Sequence, residues 1–421
     1  MADVSLPMDG SSDRAQLLLV GALTLAVVFL SLSLLLNSVI YTENLATRQT
    51  NTDVEKATTF RFVAVDVLGD AIEHVNRGDA SDFGTRRDDY RNVTGVAIRT
   101  LGNQSATDSL ATDVERRTVS RGTRIADDNA TSTLTPENDS RGNWTVVTDA
   151  RVRNARLHVE TDDVVRIVVD DGTARDVVLD GTANELRVEG ESEACSLGGG
   201  RNWVDLTAAR VDGERCRPLT TLPFDDEVNV SIANGTDATG TYSLVVDRYE
   251  AGIRSAVDTQ NYPGQCAPPS PPTYNDSDAG GPYTSPAVYA ATANVSVASP
   301  DIDYRRTVRT APGEVGGPPT DPTFERYDVT NTSTSLRVNW NVTDPNGDFD
   351  YVAVGLYNVS DGSTEVSPSN YTTSDGDVTF TGLSNSTAYA INATAVDGAT
   401  PENRRTVSEI HSPDGGGGCP P

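Results

Sequence analysis

The chain has 421 residues, of which 33 are Lys or Arg and 61 are Asp or Glu, giving a formal net charge of −28. This disfavours nucleic acid or an anionic lipid surface as a partner, because phosphate binding needs clustered cations. Lys56 is the sole lysine; abundant carboxylates with almost no lysine keep a surface hydrated where salt screens charge, as in an extreme halophile.

Residues 15–42, Ala15 to Thr42, carry no charged side chain and include the run Leu17-Leu18-Leu19-Val20-Gly21-Ala22-Leu23. At about 1.5 Å per residue the stretch exceeds the roughly 30 Å hydrocarbon core of a bilayer, which predicts a transmembrane helix. A cleaved secretory signal has a basic leader and a shorter apolar core. Here the leader from Met1 to Arg14 is acidic through Asp3, Asp9 and Asp13.

The polar leader ends in Arg14-Ala15, followed by Gln16-Leu17 and the apolar run. This junction resembles the class III signal of archaeal type IV pilins, and the resemblance implies cleavage between Ala15 and Gln16 by a prepilin peptidase. The alternative is an ordinary helix with an arginine at its cytoplasmic boundary. The exit side, Asn37-Ser38-Val39-Ile40-Tyr41-Thr42-Glu43-Asn44-Leu45-Ala46-Thr47-Arg48, resembles a haloarchaeal prepilin-like membrane protein family of no established activity. That likeness implies location and architecture, with pilus or envelope proteins as partners, and no catalytic residue.

Flanking charges leave orientation open, since Arg14 faces Arg48 and Lys56 across the helix. Two other features place the C-terminal part outside the cell. Asn-x-Ser/Thr sequons recur, among them Asn92, Asn103, Asn143, Asn234, Asn294, Asn341, Asn358, Asn385 and Asn392. All four cysteines follow the apolar stretch; Cys195 and Cys216 are expected to close one loop, worth about 3 kcal/mol on the loop-entropy account. Cys266 and Cys419 are a second candidate pair. His74, His158 and His411 are scattered and form no zinc pattern.

Residues 43–142 are read as a membrane-proximal helical region and loop. Phe62, Val65, Leu68, Ile72 and Val75 recur at helical spacing, and Gly78 stops that helix. Tyr90, Val93, Ala97 and Leu101 continue a weaker helical pattern, with Leu110 and Val114 beyond a polar gap, and 120–142 reads as loop. From Trp144 the period becomes that of strands, predicting a β-rich head over 143–310. Ser196 and Gly198-Gly199-Gly200 lack the context of a nucleophile elbow or phosphate loop, and read as part of a disulfide-tied surface loop. Residues 263–286 form a Pro/Gly/Ser loop, and a Pro/Gly linker over 311–322 marks a domain boundary.

Residues 323–411 carry strand-like runs at 335–342, 351–357, 377–380 and 388–396, which predict a β-sandwich. Trp340 on an early strand and Leu383-Ser384-Asn385-Ser386-Thr387-Ala388-Tyr389 resemble the fibronectin type III fold and its tyrosine corner, implying that Trp340 and Tyr389 are core residues. Asp344, Asn346, Asp348 and Asp350 place oxygen ligands at alternate positions, compatible with calcium or with a simple acidic turn. Residues 412–421 are a flexible tail.

The expected architecture is an N-terminal transmembrane α-helix, an α+β to mainly β ectodomain and a C-terminal immunoglobulin-like sandwich. No constellation of His with Ser, Cys or carboxylate stands at catalytic spacing. The expected function is that of a single-pass, non-catalytic cell-surface protein with its N-terminus in the cytoplasm, a minor pilin or pseudopilin displaying the sandwich for adhesion. The alternatives are a non-polymerising envelope stalk and, last, an extracellular hydrolase. No cofactor and no small-molecule substrate are implied.

Overall fold

The structure is a computed structural model. It describes residues 29, 32, 33 and 54–413, other than 79, 108–109, 138–139, 263–271, 276–279, 301, 316–321, 345–348, 360–361 and 399–403. The cleavage junction Arg14, Ala15 and Gln16, nearly all of the apolar stretch, Cys266, and the tail from 414 with Cys419 lie outside the described residues. Among the described residues no helix is long and apolar enough to cross a membrane. The chain divides into two compact units, one of residues 1–63, 102–113 and 295–306, the other of residues 64–101, 114–294 and 307–421.

Helix α1 occupies 54–76 and helix α2 Phe83–Thr107. The expected stripe on α1 holds at Leu68, Ile72 and Val75, all buried, but not at Phe62, which is 53% exposed. Six residues from Leu68, Phe62 is about a third of a turn off the buried face. Small Ala64 and Ala71 complete that face instead, and the Arg61 guanidinium covers the Phe62 ring at 4.6 Å. Asp82 caps α2 by accepting the Thr85 amide at 3.0 Å and the Thr85 hydroxyl at 2.9 Å. The Thr85 amide bond is the main reason its carboxyl is held below the usual range.

Among the described residues, fourteen strands follow before the second module. They are β1 Ala111–Asp127, β2 Trp144–Ala150, β3 Val152–Thr161, β4 Val164–Asp170, β5 Ala174–Asp180, β6 Glu185–Val188, β7 Ala194–Ser196 and β8 Asn202–Asp205. Then come β9 Arg210–Val211, β10 Glu214–Arg215, β11 Val228–Ala233, β12 Ala238–Val246, helix α3 Glu250–Asn261, β13 Tyr283–Ala298 and β14 Asp303–Thr310. An eight-stranded sheet runs β10-β9-β8-β3-β12-β1-β13-β14 and a six-stranded sheet β2-β11-β4-β5-β6-β7. One aliphatic core joins Ile125, Leu157, Val159 and Val204 of the first to Val146, Val165, Ile167, Val177 and Leu179 of the second. Two sheets sharing one buried interior form a sandwich.

The head therefore begins at β1, not at 143. Residues 111–127, read as the end of a weak helical pattern at Val114 and, from 120, as loop, form a 17-residue strand between β12 and β13. Its first half is mostly exposed and its buried end carries few large apolar residues, so no alternation shows in the sequence. Close approach replaces bulk: a Cβ on Gly122 would meet the Val246 carbonyl oxygen at 2.5 Å and Tyr289 Cβ at 2.9 Å. The loop reading holds for 128–137 and 140–142, where Leu134 is nonetheless fully buried and its carbonyl accepts Trp144 Nε1–H at 2.9 Å. Helix α3 had no sequence-based assignment. Beyond it, the Pro-rich segment folds Thr273 and Tyr274 into the interior, with the Thr273 amide on Asp258 at 3.1 Å.

Three buried side chains tie the helices and β3 to β13. Asn76 donates to the Val288 carbonyl and accepts the Val288 amide, both at 2.8 Å, so that it behaves as a neighbouring strand would. Arg153 of β3 donates to the same carbonyl at 2.7 Å, and Arg86 of α2 to the Pro286 carbonyl at 2.9 Å.

The second module has strands β15 Thr323–Thr332, β16 Ser335–Thr343, β17 Phe349–Asn358, β18 Thr364–Tyr371, β19 Asp375–Thr381, β20 Tyr389–Asp397 and β21 Arg404–His411. Sheets β15-β16-β19 and β18-β17-β20-β21 enclose fully buried Trp340, whose ring presses on Gly376 so closely that a Cβ there would come within 2.6 Å. Tyr389 is buried and its hydroxyl accepts the Ser384 amide at 3.1 Å, closing the corner expected from the sequence.

Replacing Asn76 with Ala strands the Val288 amide and is expected to cost about 1–3 kcal/mol, read from the denaturant midpoint of the full chain. A second expectation concerns alkali. Burial pushes the phenols of Tyr90, Tyr242, Tyr274, Tyr289 and Tyr327 upward. In the range above the unfolded pKa of about 10 the native chain then holds more protons than the unfolded one, so stability falls as pH rises. Denaturant midpoints should be level up to about pH 9.5 and drop beyond it; a level profile through pH 11 would contradict this burial.

Candidate functional site

The eight-stranded sheet carries a cleft of about 320 Å³ against the C-terminal half of α1. Register puts His158 of β3 directly opposite Trp203 of β8. Their rings lie parallel, 4.0 Å apart with 6° between planes. The Trp203 backbone is fixed on both sides by Asp212, whose carboxylate accepts the Trp203 amide at 2.8 Å and whose own amide reaches the Trp203 carbonyl at 2.7 Å. Trp203 nevertheless remains 56% exposed, whereas Trp144 and Trp340 are 4% and 0% exposed.

Charged groups around this stack are already engaged with one another. Arg156 pairs with Asp205 at 2.8 Å and with Glu73 at 3.5 Å, and Glu73 also takes Arg77 at 3.2 Å and the Asn154 amide at 2.6 Å. Burial works against the Arg156 cation, but its bonds to Asp205 and Glu73 outweigh it and hold its pKa above the usual value. On the other side Arg124 donates to both oxygens of Asp128 at 3.0 Å, and the Tyr283 hydroxyl donates to Asp128 at 2.5 Å. Burial, then the bond to Asp128, pushes the Tyr283 phenol up to about 12. Planar donors and acceptors thus line the cleft together with the stacked His158 and Trp203 rings, an arrangement suited to holding a polar ligand.

His158, one of the three scattered histidines of the sequence, has its partner in Trp203, to which no role attached. The missing signal was register: 45 positions separate the two residues, and only the β3–β8 pairing joins them. His74 and His411 are on α1 and β21, the latter 2.8 Å from Glu409. In the cation candidate, Asp344 follows β16 and Asp350 is in β17, while Asn346 and Asp348 lie outside the described residues. Among the described residues no group of three His, Cys, Asp or Glu is placed to hold a metal ion. In the glycine loop, the Asn202 side chain accepts the Gly198 amide and donates to the Gly200 carbonyl at 2.8 Å.

Cys195 and Cys216 form a disulfide, 21 positions apart in sequence. Cys195 is on β7, the last strand of the six-stranded sheet, and Cys216 directly follows β10, the last strand of the eight-stranded one. The bond therefore staples the two sheets at their far edges, two strands from β8, which carries Trp203. Replacing both cysteines with Ser is expected to lower unfolding free energy by about 3 kcal/mol, measured on full chain with the reduced wild type as control.

A family model for the fibronectin type III domain matches residues 318–410. A second, described as a family of unknown function (DUF7261), matches residues 11–133. No curated protein matches the chain. Among solved structures, the chicken CNTN1 FN1-FN3 domains are 16% identical, with a TM-score of 0.18, over 32% of this chain and 49% of that one. The chain thus spans about half of that structure's length. Residues 318–410 are a fibronectin type III domain by family match and by their seven-stranded, two-sheet build.

Proposed function

We propose that this chain is a non-catalytic protein of the cell envelope, anchored through residues 15–42 with its N-terminus in the cytoplasm. Its β-rich head and fibronectin type III domain are displayed outside for adhesion or surface contact, and its insertion is that of a prepilin-like minor pilin or pseudopilin. The observation that carries the reading is the disulfide between the edges of the head's two sheets, a bond that persists in oxidising surroundings, in a chain that carries a long uncharged apolar stretch over 15–42.

Two further features support it. The sequon asparagines Asn92, Asn103, Asn143, Asn234 and Asn385 are exposed, and Asn294, Asn341, Asn358 and Asn392 are half-buried, so none is shut inside a core. The family match over 11–133 takes in the end of the leader, the apolar stretch, α1, α2 and β1. This supports reading anchor and helices as one inherited piece joined to the head.

N-terminal sequencing of the native protein tests the pilin-like part. A mature chain starting at Gln16, reverting to the full leader when the prepilin peptidase is deleted, is the expected result. A start at Met1 or Ala2 in both strains would remove that part and leave a non-polymerising envelope stalk.

A further inference from the structure

We propose that the cleft over Trp203 and His158 is a carbohydrate-binding site that takes a neutral pyranose ring of a glycan. The inference deepens the adhesive reading above, although the binding itself depends only on the head.

Three observations favour this ligand. Trp203 is the exposed tryptophan of the three, and the parallel His158 ring and the double backbone clip to Asp212 hold it flat. A fixed indole, one face covered by His158, offers its other face to the C–H side of a sugar ring at little entropic cost, which suits a surface apolar on one side and wet on the other. Next, Arg156, Glu73 and Asn154 line the cleft as a connected set of planar donors and acceptors, with Arg156 held by Asp205, and match ring hydroxyls that both donate and accept. The volume of about 320 Å³ falls at the lower end of ligand pockets, which run from about 300 to 1,000 Å³.

The charge pattern selects a neutral ligand over an anion. Arg77, Arg124 and Arg156 each already face a carboxylate, through Glu73, Asp128 and Asp205. A phosphate or sulfate would have to displace one of these pairs and meet the remaining carboxylates. Ring stacking and hydrogen bonds to an uncharged ligand also survive the strong screening for which the acidic surface is suited, whereas an exposed ion pair weakens there.

The test uses the purified full chain in detergent, in high and in reduced sodium chloride. Acrylamide quenching of tryptophan emission reports Trp203, because Trp144 and Trp340 are buried. Probes are maltotriose, cellotriose and mannotriose as neutral ligands, with trigalacturonate and inorganic phosphate as anionic ones. The expected result is saturable protection by at least one neutral trisaccharide, little changed by salt. Binding by the variants, two of which lack the Trp203 reporter, is read by isothermal titration calorimetry: Trp203→Ala should weaken it about tenfold or more, equivalent to about 1.4 kcal/mol, while Trp203→Tyr retains most of it and Arg156→Gln falls between. Unaltered emission of the buried tryptophans in each variant certifies the fold.

Protection by none of the neutral sugars overturns the proposal. So does binding that persists in Trp203→Ala, or binding confined to the anionic probes and lost in high salt. Sugar binding by a chain found to reside in the cytosol would sink the envelope reading while leaving this site in place, so the two failures are separable.

Discussion

The fold of the head depends on how three buried polar side chains meet one stretch of β13. Asn76, Arg86 and Arg153 come from α1, α2 and β3, and together they bind the backbone at Pro286 and Val288. Buried peptide groups left without partners are costly, so β13 can lie beneath two helices only if their side chains complete its hydrogen bonding. Placing α1 in this way brings Glu73 and Arg77 over β3 and β12, where they form one wall of the cleft. The same turn of helix therefore serves packing through Asn76 and the site through Glu73.

The disulfide constrains the opposite edge of the sandwich. Strands β7, β9 and β10 are two or three residues long, too short to hold two sheet edges together by pairing alone. Linking Cys195 to Cys216 closes that edge and steadies the hairpin bearing Trp203 and Asp212. A core made chiefly of Val, Leu, Ile and Ala, with few aromatic residues, gains from such a link.

Legibility from the sequence followed the physics of each segment. The second module declared itself through alternation, Trp340 and the Leu383 to Tyr389 corner, since a sandwich of antiparallel strands repeats every second residue. Strands such as Val164–Asp170 were visible for the same reason. Strand β1 was not, because its place between β12 and β13 is secured by a glycine and by backbone contact, neither of which produces a hydrophobic period. Phe62 misled because alanines, which carry little weight in an apolar pattern, define the buried face of α1. The cleft was invisible for a further reason: its parts come from α1, β1, β3, β8 and β12, and register alone assembles them.

Display of the head and the fibronectin type III domain outside the cell is the central claim of this account. Protease shaving of intact cells, with the released peptides mapped by mass spectrometry, tests it most directly. The account predicts that peptides from the head and from the fibronectin type III domain are released from intact cells, leaving a short membrane-bound remnant that contains the apolar stretch. A full-length chain that resists the protease until the cells are lysed would contradict it.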